Sequence, residues 1–530
     1  MKKNKMAILA GCVLVSLGIN AQTLYEGTRM LDSDLNGTAR FIGMGGAMGA
    51  LGGDISTMGT NPAGIGIYRS NDFMLSFGLN NTGAESNFNG TKMNSNRTRG
   101  SFDNIGFVYS NKVGNQTALR YINFGFNYQK KKNFNRNFGM GGDLNGLSQT
   151  GQMAFMSNGI WFETAQDIIK RPDNFYRDES IGWLSILGLG SGLVNYDGSD
   201  VTTTPNGHPL NETDANGNPL YSAYDYYVGT PGKYGNYNSR QTGGINQYDF
   251  NMSFNLKDRV YLGLTVGAYD VNYNMQSYYS EEVEGGSYSL DNWFATRGAG
   301  LDFKFGVIVR PSLNLPLRIG AAIHTPTWYN LKDTHSAQIS SNINGRPSNV
   351  STFSVGDALH EYQIMTPWKF NFSLGYTVGS SIALGAEYEY QNRSALKFRD
   401  YDGYSIEDLN RDAEQYLKGT HTAKFGIEAK LVPSFSVRAG YNFTTAGIRE
   451  GAFKNIPNTS TRTDTEFENS YSVNNFALGM GYRGRLFYAD LAYQYSMYKS
   501  DFYPFNTLEL PATKVNNDRQ QVVLTLGVRF

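Results

Sequence analysis

Gln521-Val522-Val523-Leu524-Thr525-Leu526-Gly527-Val528-Arg529-Phe530 alternates residue by residue. Val522, Leu524, Leu526, Val528 and Phe530 fall on one face, and Gln521, Thr525 and Arg529 on the other. Side chains of an extended strand point to opposite sides in turn, so this stretch separates an apolar medium from a polar one. The period recurs upstream, with aromatic residues enriched on the apolar side. Phe370, Phe372, Leu374 and Tyr376 oppose Lys369, Asn371 and Ser373; Leu384, Ala386, Tyr388 and Tyr390 oppose Glu387 and Glu389; Phe476, Leu478, Met480 and Tyr482 oppose Asn475 and Arg483.

Alternation alone would also suit a soluble sandwich, and the connections decide between the two. Candidate strands lie near 72–82, 102–110, 120–129, 246–256, 259–271, 300–310, 315–330, 361–378, 381–393, 421–431, 434–446, 473–483, 486–498 and 520–530, about fourteen in all. Their links alternate in length. Lys257-Asp258, Pro311 to Leu315, Gly379-Ser380, Val432-Pro433 and Gly484-Arg485 are short, whereas Thr82 to Ser101, Lys130 to Asn246, Arg393 to Gly419 and Thr445 to Tyr471 are long. Transmembrane barrels put short turns at one rim and long loops at the other, on strands of ~9–11 residues. The expected fold is an all-β membrane protein, an antiparallel transmembrane β-barrel of about fourteen strands.

Composition agrees with that reading. The chain has 36 Tyr, 32 Phe and 61 Gly but only 17% charged residues, against ~25% in soluble domains. Past residue 21 no apolar run approaches the ~20 residues of a membrane-spanning helix. The 46 basic and 46 acidic residues cancel, which leaves no electrostatic footprint for nucleic acid. Residues 1–21, with Lys2, Lys3 and Lys5, an apolar run from Met6 to Ile19, and Ala21, read as a secretory signal peptide. Leu9-Ala10-Gly11-Cys12 has the alternative form of a lipoprotein cleavage box, but the apolar stretch before it is short and continues past it through Val13 to Leu17. Cleavage after Ala21 removes Cys12, the one cysteine, and with it any disulfide.

Residues 22–70 follow neither pattern and are read as a plug for the lumen of a barrel formed by 71–530. Gly43-Met44-Gly45-Gly46-Ala47-Met48-Gly49-Ala50-Leu51-Gly52-Gly53-Asp54 suits tight turns and close packing. Gly59-Thr60-Asn61-Pro62-Ala63-Gly64-Ile65-Gly66 holds an Asn-Pro turn with Pro placed to start a helix. Together with Arg40 to Ala47 and Gly53-Asp54, this segment resembles the N-terminal hatch of the FadL family, outer-membrane transporters of long-chain fatty acids and other hydrophobic compounds. The resemblance implies that Asn61, Pro62 and Ala63, with Gly46, Ala47 and Asp54, form a hatch inside a fourteen-stranded barrel. It also implies that ligand is captured by apolar extracellular loops, displaces the hatch and leaves sideways through the wall, with Gly125 in the third strand as the expected gap. The terminal Phe530 resembles the signal by which the barrel assembly machinery recognises its clients.

The loop at about 130–245 carries two apolar clusters, one with Phe155, Trp161 and Phe162 and one with Trp183, Leu184 and Leu187. They form either a ligand-capture groove or the loop's own small core. Tyr221 to Tyr237 reads as an irregular surface loop. On the polar faces, Arg318 and Lys424 are the basic residues expected to meet a ligand carboxylate, unless cross-strand pairing absorbs them. His208, His324, His335, His360 and His421 belong to no nucleophile motif or ligand-like cluster, so neither catalysis, a metal, a cofactor nor haem is expected. The expected partners are a hydrophobic small molecule and outer-membrane lipid, with the chain a monomer. Surface adhesion, or haem binding without transport, is the competing reading; a purely structural barrel needs no plug, and the histidines near loops form no ligand-like cluster for haem.

Overall fold

A computed structural model describes residues 22–196, 227–312, 314–507 and 509–530. The signal segment with Cys12, and His208, lie outside the described residues. Fourteen antiparallel strands form one closed wall: β1 (Asp72–Phe88), β2 (Thr91–Lys112), β3 (Leu119–Asn133), β4 (Gly232–Leu256), β5 (Val260–Val283), β6 (Gly286–Val309), β7 (Leu317–His324, then Trp328–Ile343), β8 (Ala358–Met365, then Lys369–Val378), β9 (Ile382–Asn392, continued by Lys397–Asp400), β10 (Gly419–Val432), β11 (Phe435–Thr444), β12 (Phe467–Arg483), β13 (Phe487–Tyr503) and β14 (Thr513–Arg529). The opening decapeptide closes the ring: β14 pairs with β1 from Asp72↔Arg529 to Asn87↔Lys514.

The faces are inverted relative to a soluble protein. Val522, Leu524, Leu526, Phe372, Phe425 and Leu478 are exposed, while their alternates Thr525, Asn371, Ser373, Glu387, Lys424 and Asp490 are buried. An apolar skin around a polar interior is stable only in lipid, and closure leaves no strand edge unpaired there.

Several strands run further than alternation indicated. The stretch expected as a loop from Thr82 to Ser101 is a hairpin of β1 and β2 turning at Asn89-Gly90, whose φ values of 47° and 87° suit the two-residue turns that match strand twist. Residues 232–237, expected in an irregular loop, belong to β4. The long insertion is therefore residues 134–231, and it holds a strand Arg136–Gly146 paired to β4, the helices α3 (Gln149–Ser157), α4 (Phe162–Lys170) and α5 (Trp183–Gly190), and the strand pair Val194–Tyr196 and Tyr227–Gly229. Above the membrane both faces of a wall strand meet water, so the apolar marks that reveal a strand disappear. The reverse holds at 315–330 and 361–378, where each expected strand breaks at a proline, Pro326 or Pro367.

The three insertion helices pack over the loop end of the barrel. Trp183, Leu184, Ile186 and Leu187 share one buried cluster with Phe138 of the insertion's own strand and with the wall residues Tyr279, Tyr288, Leu290 and Phe502. They form a lid whose core is continuous with the wall beneath it.

Candidate functional site

Residues 22–70 enter the lumen as α1 (Leu24–Leu31), α2 (Ala39–Gly43) and two 3-10 turns, Ile55–Gly59 and Pro62–Ile67. The Asn-Pro-Ala turn is docked into the wall. Asn61 caps the second 3-10 turn, its Oδ1 accepting from the Ala63 N–H at 3.2 Å, and its Nδ2 donates to the Val307 carbonyl at 3.3 Å. The Pro62 carbonyl accepts from Ser253 Oγ at 2.9 Å and Asn251 Nδ2 at 3.3 Å. Gly263 and Gly306 make room, since a Cβ on them would lie 2.3 Å from Pro62 C and 2.1 Å from Asn61 Oδ1.

Asp54 is the internal tie. It caps the first 3-10 turn through the Ser56 N–H at 3.0 Å and accepts from Thr38 Oγ1, the cap of α2, at 2.7 Å. The glycine-rich stretch then lies against a glycine row of the wall. Gly375, Gly385, Gly426 and Gly440 are consecutive register partners across β8, β9, β10 and β11. A Cβ would meet the Ala47 carbonyl oxygen at 2.0 Å from Gly385, the Met44 carbonyl oxygen at 2.4 Å from Gly426 and the Gly45 nitrogen at 2.1 Å from Gly440. Gly45 and Gly46 have φ values of 61° and 78°, a turn that L side chains resist.

Charge completes the seal. Arg40 grips Glu428 with Nε at 2.8 Å and Nη2 at 3.0 Å, and Glu428 also accepts from Arg438, which reaches Asp490 at 2.6 Å. The Gly49 N–H donates to Glu387 at 2.9 Å. Bidentate charge-assisted bonds of this kind are the strong ones. Higher up, Glu26 on α1 accepts from Arg462 at 3.2 Å, and Arg462 and Lys454 both bond Asp464. The plug is thus tied to an extracellular loop.

Between plug and lid lies a cavity of about 490 Å³. Its lining mixes rings, among them Tyr25, Phe134, Tyr269 and Tyr273, with many charges. Most of the charges are matched: Lys132 with Asp34 at 3.2 Å, Lys304 with Asp302 at 2.7 Å, Lys369 with Glu389 at 3.0 Å and Lys424 with Glu387 at 2.7 Å. Three cations on the lining, Arg29, Lys130 and Lys131, join no ion pair among the described residues. Lys131 donates to the Tyr329 hydroxyl at 3.2 Å and lies 4.7 Å from the Tyr269 ring and 5.8 Å from the Tyr329 ring. Arg29 lies 3.9 Å over the Tyr273 ring, and its buried Nη1 has no hydrogen-bond partner.

The expected site residues divide. Asn61, Pro62, Ala63, Gly46, Ala47 and Asp54 are gathered in the plug. In the lid, Trp183, Leu184 and Leu187 are buried in its core, whereas Phe155, Trp161 and Phe162 face outward, Trp161 with 68% of its surface exposed. Lys424 lines the cavity but is held by Glu387. Arg318 is absent from the lining and donates to the Leu51 carbonyl of the plug at 2.5 Å. Gly125 sits in an unbroken ladder between Val108 and Asn251, where its missing side chain admits the Met58 methyl. The pairing of β3 with β2 ends higher, at Gln129. There the plug takes over: Asp34 N–H donates to the Lys131 carbonyl at 2.9 Å, and Asn36 bridges the Lys130 carbonyl and Asp103. Lys131 and Arg29 escaped sequence reading because the lysine run was taken as the start of a loop and the leader has no period.

Fourteen lipid-facing strands closed around a plug define a transmembrane β-barrel of the bacterial outer-membrane kind. The particular fold is that of two solved barrels. A Pseudomonas aeruginosa FadL homologue matches with TM-score 0.52 and 11% identity over 94% of this chain and 99% of its own. The P. putida toluene transporter TodX matches with TM-score 0.50 and 11% identity over the same shares. Residues 221–416 match the family model described as BamG. Comparison with curated protein sequences gives no match.

Proposed function

We propose that this barrel passes hydrophobic compounds, long-chain fatty acids among them, across the outer membrane without an energy source. The observation that carries the proposal is the cavity between plug and lid, in which aromatic rings face Lys131 and Arg29, cations that join no ion pair among the described residues. That lining suits an amphiphile with an apolar body and one carboxylate, because a buried cation is costly until an anion meets it. Capture falls to the outward Phe155, Trp161 and Phe162 of the lid. Gating falls to the plug, whose Asn61-Pro62-Ala63 turn, Gly46-Ala47 segment and Asp54 tie must leave the wall together. Lateral exit, expected at Gly125, is proposed five to eight residues further along β3, at the Lys130–Asn133 fork that Asp34 and Asn36 fill. Uptake of radiolabelled oleate and toluene by cells with and without the gene tests the reading. Higher uptake of either with the gene supports it. No difference for any hydrophobic compound sinks it and promotes surface binding.

The match of residues 221–416 to BamG favours a second reading, in which the barrel associates with the barrel assembly machinery. Copurification of that machinery with a tagged chain, at equal stoichiometry, would support it. In either case the exposed Phe530 is proposed as the chain's own assembly signal.

A further inference from the structure

Three neighbouring wall strands break at one height. β7 is interrupted at Thr325–Thr327, β8 at Thr366–Trp368 and β9 at Arg393–Leu396. The register brings the two prolines opposite each other, since His324 pairs with Lys369 and Trp328 with Met365. Thr366 donates its N–H to the Thr327 carbonyl at 3.1 Å. The next N–H along β8 would face β9, and Pro367 has none. On that side the ladder stops at Lys369↔Gln391 and resumes at Met365↔Lys397, so the three residues Thr366–Trp368 face the five residues Asn392–Leu396. The longer segment must bow away. The one direct polar contact across the opening is the Gln391 side-chain amide on the Pro367 carbonyl at 3.2 Å.

The height of the break gives it meaning. From the short turn, β8 runs 10 residues and β9 runs 11 before it, the length that crosses the hydrocarbon band. Trp328 and Trp368 are exposed beside it, as aromatic residues are at the membrane rim. From inside, Thr327, Thr366, Pro367, Gln391 and Arg393 line the cavity described above. The same few residues thus separate the lumen from the outer-leaflet interface.

The plug holds this opening from within. Asp32, just past α1, accepts from Arg393 at 2.9 Å. Helix α1 presses Gly27 against strand β9, where a Cβ would come within 2.4 Å of the Phe398 ring and 2.5 Å of Leu396. We infer that the β8–β9 break is a lateral portal, latched by α1 and Asp32, through which amphiphiles with a long acyl chain and an anionic head pass between the outer leaflet and the cavity. The inference rests on the transport reading. It adds a membrane-side inlet to a barrel whose loop end is covered by a lid.

A photoactivatable fatty acid dissolved in the bilayer of vesicles carrying the full barrel tests it. Ladder partners lie at disulfide distance, so M365C/K397C staples β8 to β9 when oxidised, and reduction reopens it in the same folded protein. Crosslinks are expected at Thr366–Trp368, at Asn392–Leu396 and on cavity residues, lost on oxidation and regained on reduction. D32N, which frees Arg393, is expected to raise labelling of Asn392–Leu396. Cavity labelling that is indifferent to the staple overturns the portal while leaving transport standing. A cavity that stays unlabelled even by fatty acid supplied from water overturns the transport reading and the portal with it.

Discussion

A single methyl group placed on the glycine row should unseat the plug. In Gly440→Ala the new Cβ would stand 2.1 Å from the Gly45 nitrogen and 2.4 Å from Met44 C, and in Gly385→Ala 2.0 Å from the Ala47 carbonyl oxygen. Ordinary carbon contacts begin near ~3.5 Å, so the overlap exceeds ~1 Å with backbone on both sides. The plug backbone has little freedom to yield, because Gly45 is in a turn at φ 61° and Arg40 is fixed to Glu428 on the adjoining strand. Overpacking of this kind costs ~1–3 kcal/mol, and at ~1.4 kcal/mol per factor of ten the seated-to-unseated ratio falls about 5- to 150-fold. The wall itself keeps its ladder and should still fold. Planar-bilayer recordings read the result as more frequent open events than in the parent protein. Gly100→Ala is the matched control, since its Cβ would meet nothing within 4 Å. If Gly440→Ala and Gly385→Ala, each shown to be folded by heat-modifiable gel mobility, conduct no more than Gly100→Ala, the plug is not held by close packing on the glycine row and the reasoning fails.

Arg40→Gln removes one partner of a buried bidentate pair and leaves Glu428 to Arg438 alone; a loss of roughly 2–5 kcal/mol in plug seating is expected, read as protease access to residues 22–70 in the reconstituted barrel. Lys131→Met should weaken oleate binding about tenfold, the worth of one charge-assisted bond of ~1.5 kcal/mol, while toluene binding stays unchanged; equal loss for both, by titration calorimetry, would count against a carboxylate site. Burial raises the Asp34 pKa, but Arg519 and Lys132 outweigh it and hold the group at about 2, below the ~3.9 of an unfolded chain. Its stabilisation of the plug is therefore complete above about pH 4 and lost as pH falls through about 2. Asp34→Asn should abolish that acid-side step in channel opening, and a step that persists in the variant would place its origin elsewhere.

The wall was legible because lipid and lumen impose different chemistry on alternate residues, and the pattern held wherever both media were present. It ended where water reaches both faces, which is why Thr82 to Ser101 and residues 232–237 read as loop although they continue β1, β2 and β4. The Asn61-Pro62-Ala63 turn could be read locally, since a cap and a proline act within a few residues. The glycine row could not: Gly375, Gly385, Gly426 and Gly440 become neighbours only through register. The two apolar clusters of the insertion were visible in the sequence. The lid's own packing then decides that Trp183, Leu184 and Leu187 turn inward and Phe155, Trp161 and Phe162 outward. Lys424 and Arg318 were reasonable choices by position, but the groups that hold them, the Glu387 carboxylate and the Leu51 carbonyl, sit on another strand and on the plug.

The central claim is passage of a hydrophobic anion through a barrel closed to water, and paired flux measurements on proteoliposomes address it directly. Oleate should enter vesicles containing the protein faster than protein-free vesicles, while glucose and chloride enter both at the same rate. Glucose or chloride flux without added oleate flux would describe an open polar pore and contradict the account.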